Sequence, residues 1–213
     1  MDLGLRREVI DKIKDRENQR AAFIELAPEN WMEIGAFWRK KLEEIAEKYV
    51  IYRHELSLSV GSPDGLDLDF IKRIKYFLDE FNIDIYSEHL SYSKTENANL
   101  YDLLPVPFRK DVIKIYRRAY KNCTGYIKLT FNLKNISYYT LIASEIKELD
   151  FLQMKSLISQ DVRLDTNNVY INIFNHQYED KEFLLKMPLK QVRYVDMDGH
   201  EKISKEIVID LHG

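Results

Sequence analysis

Residues 49–59, YVIYRHELSLS, decide the fold. The first four residues are apolar and rich in β-branched and aromatic side chains, a composition that predicts a short buried strand. His54 follows two residues later, ahead of serines that are typical of a turn. The pattern therefore predicts an imidazole at the carboxyl end of a strand, the edge where parallel α/β sheets place their sites.

Two later stretches repeat this arrangement. Residues 83–86, IDIY, lead to His89, and residues 207–209, IVI, lead to His212. Further apolar runs bring the number of predicted strands to seven. These strands are predicted at residues 21–26, 49–54, 83–88, 125–133, 162–164, 191–197 and 206–211.

Amphipathic segments separate the predicted strands. Trp38, Leu42 and Ile45, for example, recur at helical spacing among charged residues, which predicts a helix with one buried face. Strands that alternate with helices favour a parallel sheet, either open and doubly wound or closed as a (β/α) barrel. Residues 91–107 are polar at first and contain two prolines, so we predict an irregular loop there that forms a lid or wall.

The barrel is the favoured architecture. No glycine-rich phosphate loop follows the first predicted strand, and polar residues follow many strands rather than gathering at one crevice. A closed TIM-type barrel has eight strands, whereas seven are predicted here. We therefore expect a single α/β domain over residues 1–213, a TIM-type barrel that is incomplete because its eighth strand is missing.

Composition excludes several classes of function. The 32 basic and 35 acidic residues give a net charge of −3 without a basic stripe, so nucleic acid is not an expected partner. No apolar run approaches a membrane span or a signal peptide, which predicts a cytoplasmic protein. Cys123 is the only cysteine, so an internal disulfide and a thiolate-rich zinc site are excluded.

The five histidines indicate a metal site. His54, His89 and His212 end predicted strands, and His176 and His200 are predicted in adjoining loops. Imidazole combined with carboxylate suits iron, manganese or zinc. The carboxylates near strand ends are Asp165, Asp196 and Asp210.

Eight motifs follow one another along the chain: FIELAPENWM, HELSLSVGS, SEHLSYS, NLYDLLPVPF, KNISYYT, LDTNNVYINIFNH, DGH and DLHG. In order and spacing these motifs resemble the multinuclear non-haem iron-dependent oxidases, a bacterial family. The resemblance runs along nearly the whole chain and implies a xylose-isomerase-like TIM barrel that holds iron at its top. It also implies the activity of characterised members, which use O2 to modify cysteine residues of ribosomally made precursor peptides, usually with a partner protein that presents the peptide.

The resemblance also implies a set of ligands and a cofactor. We expect one to three iron ions, with manganese or zinc as alternatives. His200 matches the histidine of a Gly-His turn and is a further candidate. The metal ligands implied by the motifs are His54, His89, Asp165, Asn168, His176, Asp210 and His212.

The chain departs from the family pattern at three points. Lys134 stands where the family has a carboxylate, and an ammonium group repels metal instead of bridging it. Asp196 stands where the family has a histidine, and could supply a replacement carboxylate. The family's last helix, eighth strand and acidic ligand have no counterpart in these 213 residues.

Three functions compete at this point. The first is a metal-dependent oxidase that modifies cysteine in a precursor peptide. Its bound iron would distinguish it from the second. The second is a degenerate barrel that binds a peptide or partner without turnover. The third, a sugar isomerase or phosphodiesterase, rests on fold analogy alone. Because the expected edge strands at residues 21–26 and 206–211 are apolar, we also expect a homodimer or a partner at the open edge.

Overall fold

The computed structural model describes residues 2–14, 23–55, 58–95, 98–127, 130–140, 142–156, 162–197 and 199–211. The described chain forms eleven strands and seven α-helices. The strands are β1 (Asp2–Gly4), β2 (Phe23–Leu26), β3 (Val50–Glu55), β4 (Ile85–His89), β5 (Ser91–Thr95), β6 (Ala98–Pro105), β7 (Thr130–Lys134), β8 (Val162–Asp165), β9 (Val192–Asp196), β10 (Gly199–Lys202) and β11 (Val208–Leu211). The helices are α1 (Ile10–Lys14), α2 (Ala36–Ala46), α3 (Leu68–Glu80), α4 (Lys110–Ile127), α5 (Glu148–Ser156), α6 (Thr166–His176) and α7 (Asp180–Lys186).

Seven parallel strands form the main sheet, in the order β1-β2-β3-β4-β7-β8-β9. Helices α2, α3 and α4 lie between successive strands of this sheet. The strand number agrees with the prediction, but its membership differs. The three-residue strand β1 was not predicted, and the predicted strand at residues 206–211 does not join the sheet.

The sheet is strongly curved. Arg163 on β8 forms an ion pair with Glu25 on β2, with Nη1 2.6 Å from Oε1. Four strand spacings separate β2 from β8 in the sheet order, about 19 Å if the sheet were flat. Two side chains can close that gap only if the sheet curls round and both point into its concave face, as in a barrel.

The helices cover the opposite, convex face. Ile24 and Leu26 on β2 are buried there, while Glu25 between them points into the concave face. Helix α3 shows how a covering helix is built: Asp67 caps its first turn by accepting hydrogen bonds from Asp69 N and Phe70 N. Its buried side chains are Phe70, Ile71, Ile74, Phe77 and Leu78. The apolar core therefore lies between sheet and helices, while the charged side chains of Glu25 and Arg163 lie on the concave face.

Two antiparallel hairpins stand apart from the main sheet. Strands β5 and β6 form one of them, so the irregular loop predicted for residues 91–107 is wrong over most of its length. Strands β10 and β11 form the other. The apolar run at residues 207–209 thus contributes to a strand, but one that pairs with the chain just before it.

Candidate functional site

Four buried residues end four neighbouring strands. His89, Lys134, Asp165 and Asp196 are the last residues of β4, β7, β8 and β9, and each is at most 3% exposed. The parallel register pairs His89 with Lys134 and Asp165 with Asp196. The strand ends predicted to carry His89, Asp165 and Asp196 therefore lie side by side at the carboxyl rim of the sheet.

The ammonium group of Lys134 contacts both carboxylates of this row. Its Nζ is 2.8 Å from Asp165 Oδ2 and 3.2 Å from Asp196 Oδ2. Burial by itself would lower the pKa of Lys134, but the charges of Asp196 and Asp165 outweigh it and leave this pKa above its ordinary value. Lys134 is therefore a buried ammonium group held by two carboxylates.

Arg163 supplies a second buried cation. It donates two hydrogen bonds to Asp196, from Nε to Oδ2 at 2.6 Å and from Nη2 to Oδ1 at 2.8 Å. Nη1 contacts Glu25 at 2.6 Å and donates to Ser87 Oγ at 3.1 Å. Burial works against the charge, yet the carboxylates of Glu25 and Asp196 raise the pKa of Arg163, so the guanidinium stays ionised.

Asp165 also joins the sheet to helix α6. As the N-cap of α6, its Oδ1 accepts a hydrogen bond from Asn168 N at 2.9 Å, which places the carboxylate at the positive end of the helix dipole. Its backbone exchanges two hydrogen bonds with the Asn135 side chain, at 2.9 and 3.0 Å. Asp165 is thereby fixed in position by three neighbours.

Two asparagine side chains of helix α6 contact the segment that follows β7. Asn168 and Asn172 donate to the backbone carbonyls of Asn135 and Ile136. Asn168 Oδ1 is buried and has no hydrogen-bond partner within the described part of the chain. Buried amide oxygens without a partner are rare in proteins, so this atom is a candidate to accept a hydrogen bond or bind a cation.

His176 lies at the far end of α6. It belongs to the helix and not to a loop, so that part of the prediction is wrong. Its Nε2 is 2.9 Å from Tyr138 O, and its ring stacks on that of Tyr138 at 4.0 Å. Burial lowers the pKa of His176. Eleven helical residues correspond to about 16 Å, which separates His176 from the N-cap residue Asp165 by most of the helix.

His200 and Asp210 face each other across the β10–β11 hairpin. His200 is on a strand and not in a loop as predicted. Asn167 bridges the two: its Oδ1 is 2.8 Å from His200 Nδ1, and its Nδ2 donates to Asp210 Oδ1 at 2.7 Å. The backbone of His54 lies in β3, opposite Ser87, while its side chain lies outside the described part. His212 also lies outside the described residues.

Several motif residues form hydrogen bonds that hold together the segments around the site. Ser59, in the left-handed conformation with φ 54°, accepts hydrogen bonds at Oγ from Ser93 N and Lys94 N. Gly61 N donates to Ser91 O at 3.0 Å. The segment after β3 is thus joined to the β5–β6 hairpin, which follows His89 directly in the chain.

These positions differ in how well they suit a metal ion. All four oxygens of Asp165 and Asp196 are engaged by Lys134, Arg163 or Asn168 N, so the residues present do not fit a metal between the two carboxylates. The buried imidazole of His89 and the Asn168 oxygen are donors of a type that fits iron. Within the described ranges, three or more histidine, cysteine or acidic side chains do not come together in a group that could hold a metal.

Arg163, Glu25 and Ser87 were not among the site residues predicted from the sequence. One signal was available: in a strand, residues two apart share a face, so Arg163 points the same way as Asp165. Asn132 is similarly placed two residues before Lys134, fully buried, and its amide has no hydrogen-bond partner among the described residues. These polar residues extend the site down the concave face.

Solved structures share the fold of this chain. A xylose isomerase-like TIM barrel/4-hydroxyphenylpyruvate dioxygenase fusion protein superposes with a TM-score of 0.59 at 11% identity, covering 95% of this chain and 32% of that one. A D-psicose 3-epimerase superposes with a TM-score of 0.56 at 9% identity, covering 92% of this chain and 72% of the other. The predicted TIM-type barrel is therefore confirmed. At such identities the likeness concerns the fold and not the reaction.

Related proteins and a family profile identify the family of this chain. A UPF0276 protein of Shewanella oneidensis is 41% identical over 213 residues, which are 99% of this chain and 76% of the relative. A UPF0276 protein of Pseudomonas aeruginosa is 31% identical over 214 residues, with 99% and 74% covered. The profile of the family described as RiPP precursor modification enzyme MbnB/TglH/ChrH matches residues 1–213. RiPPs are ribosomally made peptides that are modified after translation, and this chain belongs to that family of RiPP precursor modification enzymes.

Proposed function

We propose that this protein oxidises a cysteine residue of a ribosomally made precursor peptide, using iron and O2. The proposal rests on family membership together with one feature of the structure. His89 places a buried imidazole at the carboxyl rim, where Asn168 Oδ1 is buried without a hydrogen-bond partner among the described residues. Such nitrogen and oxygen donors match iron in preference to magnesium or calcium.

The residues that would hold iron are those implied by the motifs. His54 and His89 lie on neighbouring strands, and Asn168 lies in the first turn of α6. Iron supplies the activation of O2 when it is bound, and manganese or zinc are the alternative ions. His176, Asp210 and His212 complete the proposed ligand set. Asp165, which the motifs also implied, is left out of it because its two oxygens contact Lys134 Nζ and Asn168 N.

The remaining residues of the rim would bind and shield the peptide. The β5–β6 hairpin follows His89 directly and is fixed to the segment after β3 by Ser59 and Gly61. We assign it the role of a wall along which the peptide lies. The described chain contains no helix that is long and apolar enough to cross a membrane. A cytoplasmic location, a peptide-presenting partner protein and a homodimer at the open sheet edge also belong to the proposal.

The experiment combines metal analysis with peptide mass spectrometry. The protein is purified without chelators and without oxygen, and is then incubated in air with cysteine-bearing peptides encoded beside its gene. We expect bound iron, O2 consumption and a mass change at a peptide cysteine. His54→Ala should lower bound iron and abolish the mass change. Glu201→Ala, a change of an exposed residue on β10, is the control and should leave both unchanged.

A second candidate is a barrel that binds the precursor peptide without modifying it. The observation that favours it is Lys134, whose ammonium contacts both Asp165 and Asp196 at the rim. In that case the peptide would bind with measurable affinity, while iron would remain well below one equivalent and the peptide mass would not change. A sugar isomerase or phosphodiesterase activity is supported by the shared fold alone, and no contact among the described rim residues favours it.

A further inference from the structure

The strand ends carry a cluster in which the protein neutralises its own carboxylates. Glu25, Asp165 and Asp196 provide three negative charges, and Lys134 and Arg163 provide two positive charges in direct contact with them. Four of these five residues are at most 3% exposed. Buried charges are tolerated when they are paired and hydrogen-bonded, and this cluster meets that condition.

The strand register creates the cluster. Lys134 on β7 is paired with Arg163 on β8, and one step further along the same face Asp165 is paired with Asp196 on β9. A row of two cations therefore lies directly below a row of two carboxylates. This arrangement follows from the positions of the residues on the strands and does not need a flexible side chain to adopt an unusual conformation.

The ammonium takes the place that a bridging ion would need. A transition-metal ion such as Zn²⁺ lies about 2.0–2.2 Å from the carboxylate oxygens that bind it. An ion bound by Asp165 Oδ2 and Asp196 Oδ2 would have to share the space between these atoms with Lys134 Nζ, which contacts both. It would also compete with Arg163, which is hydrogen-bonded to both oxygens of Asp196.

We infer that Lys134 and Arg163 are built-in counter-cations that replace a metal ion at the Asp165–Asp196 pair, and that this position of the native protein excludes divalent metal. Asp196 is then a partner of Arg163 and not a substitute ligand. The inference concerns this one position. It is independent of whether iron binds through the histidines or whether a peptide is modified.

The inference predicts that removal of one cation opens a metal site. Lys134→Glu gives the cluster four carboxylates against a single guanidinium, and Lys134→Met removes the charge while keeping a side chain of similar length. Each variant should bind one more Mn²⁺ or Fe²⁺ per chain than the native protein, and its melting temperature should rise by several degrees more on addition of the ion. Lys121→Glu makes the same change of charge on the exposed face of α4 and is the matched control, expected to bind no additional ion.

The native protein gives a second, independent readout. Crystals soaked in Mn²⁺ should show no anomalous scattering between Asp165 and Asp196, and crystals of Lys134→Glu should show a peak there. A peak at this position in the native protein overturns the inference, as does the absence of any additional ion in Lys134→Met. If Lys134→Glu does not fold, the native crystals and Lys134→Met still decide. Iron bound at the histidines but not between Asp165 and Asp196 would support both the proposed function and this inference. The anomalous peaks distinguish the two positions.

Discussion

Arg163 donates two parallel hydrogen bonds to Asp196, at 2.6 and 2.8 Å, with both side chains almost completely removed from solvent. The same guanidinium reaches Glu25 four strands away in the sheet order. One arginine therefore connects the second strand of the main sheet to its last strand. Its contribution to stability comes from closing the curved sheet as well as from satisfying buried charge.

Replacement of Arg163 by methionine should destabilise the protein strongly. Breaking a buried ion pair leaves a carboxylate without its partner, which costs about 3–5 kcal/mol in the free energy of unfolding. Chemical denaturation measures this loss. Arg109→Met is the control because Arg109 pairs with Asp111 on the exposed surface, and it should change stability little. Equal losses in the two variants would show that the buried contacts of Arg163 carry no special weight.

Local pattern was sufficient to predict the strand ends. The strands predicted at residues 83–88, 162–164 and 191–197 correspond to β4, β8 and β9, and the structure places His89, Asp165 and Asp196 at the rim. In an α/β fold the carboxyl ends of parallel strands share one edge, so position along the chain is enough to group these residues. The role of Arg163 needed more. Its partner Glu25 is 138 positions earlier in the chain, and only the curvature of the sheet brings the two together.

The errors have a similar physical origin. Strand β1 has three residues and lies in a charged segment, so no periodicity reveals it; it exists because β2 offers a parallel edge. Residues 207–209 were predicted as a strand, but their apolar pattern does not specify the partner. The preceding segment at Gly199–Lys202 is close in sequence and pairs with them antiparallel. A strand pairs with a compatible strand edge close to it, and its own sequence does not specify which edge that is.

Gly61 should not tolerate a side chain. A Cβ at this position would lie 2.5 Å from Tyr116 Oη and 2.7 Å from Ser91 O, much closer than van der Waals contact allows. We expect Gly61→Ala to lower the free energy of unfolding by about 1–3 kcal/mol. Gly125→Ala is a matched control with the opposite sign, because Gly125 lies in α4 with nothing within 4 Å of its Cβ position. Alanine there should stabilise the helix by about 0.5–1 kcal/mol.

Glu148 should make stability depend on pH. Burial raises the pKa of this carboxyl to about 7, although Asn172 and Tyr138 donate hydrogen bonds to it. Between pH 4.5 and 7 the unfolded chain therefore releases a proton that the folded protein retains. The free energy of unfolding should fall as pH rises through this window, by about 3 kcal/mol in total, and become level above it.

The test compares native protein with Glu148→Gln in denaturant titrations at several pH values. The glutamine variant should lose this slope between pH 4.5 and 7, because it has no proton to release. Asp150→Asn removes an exposed acid from the same helix and should keep the native slope. A native slope that persists in Glu148→Gln would assign the pH dependence to another group.

The last prediction concerns the edges of the main sheet, which within the described ranges are β1 and β9 rather than the strands at residues 21–26 and 206–211 that the sequence suggested. Among the described residues, β9 pairs only with β8, and Val195 and Met197 at its end are 47% and 86% exposed. An edge strand that carries exposed apolar side chains favours pairing with a second chain. We therefore expect light scattering to detect a dimer at micromolar concentrations.

Replacement of both Val195 and Met197 by lysine should shift the protein to the monomer, because charged edge residues oppose strand pairing. Leu185→Lys, on α7 and equally exposed, is the control that should leave the dimer intact. A native protein that stays monomeric over the whole concentration range would contradict pairing of two copies through this edge.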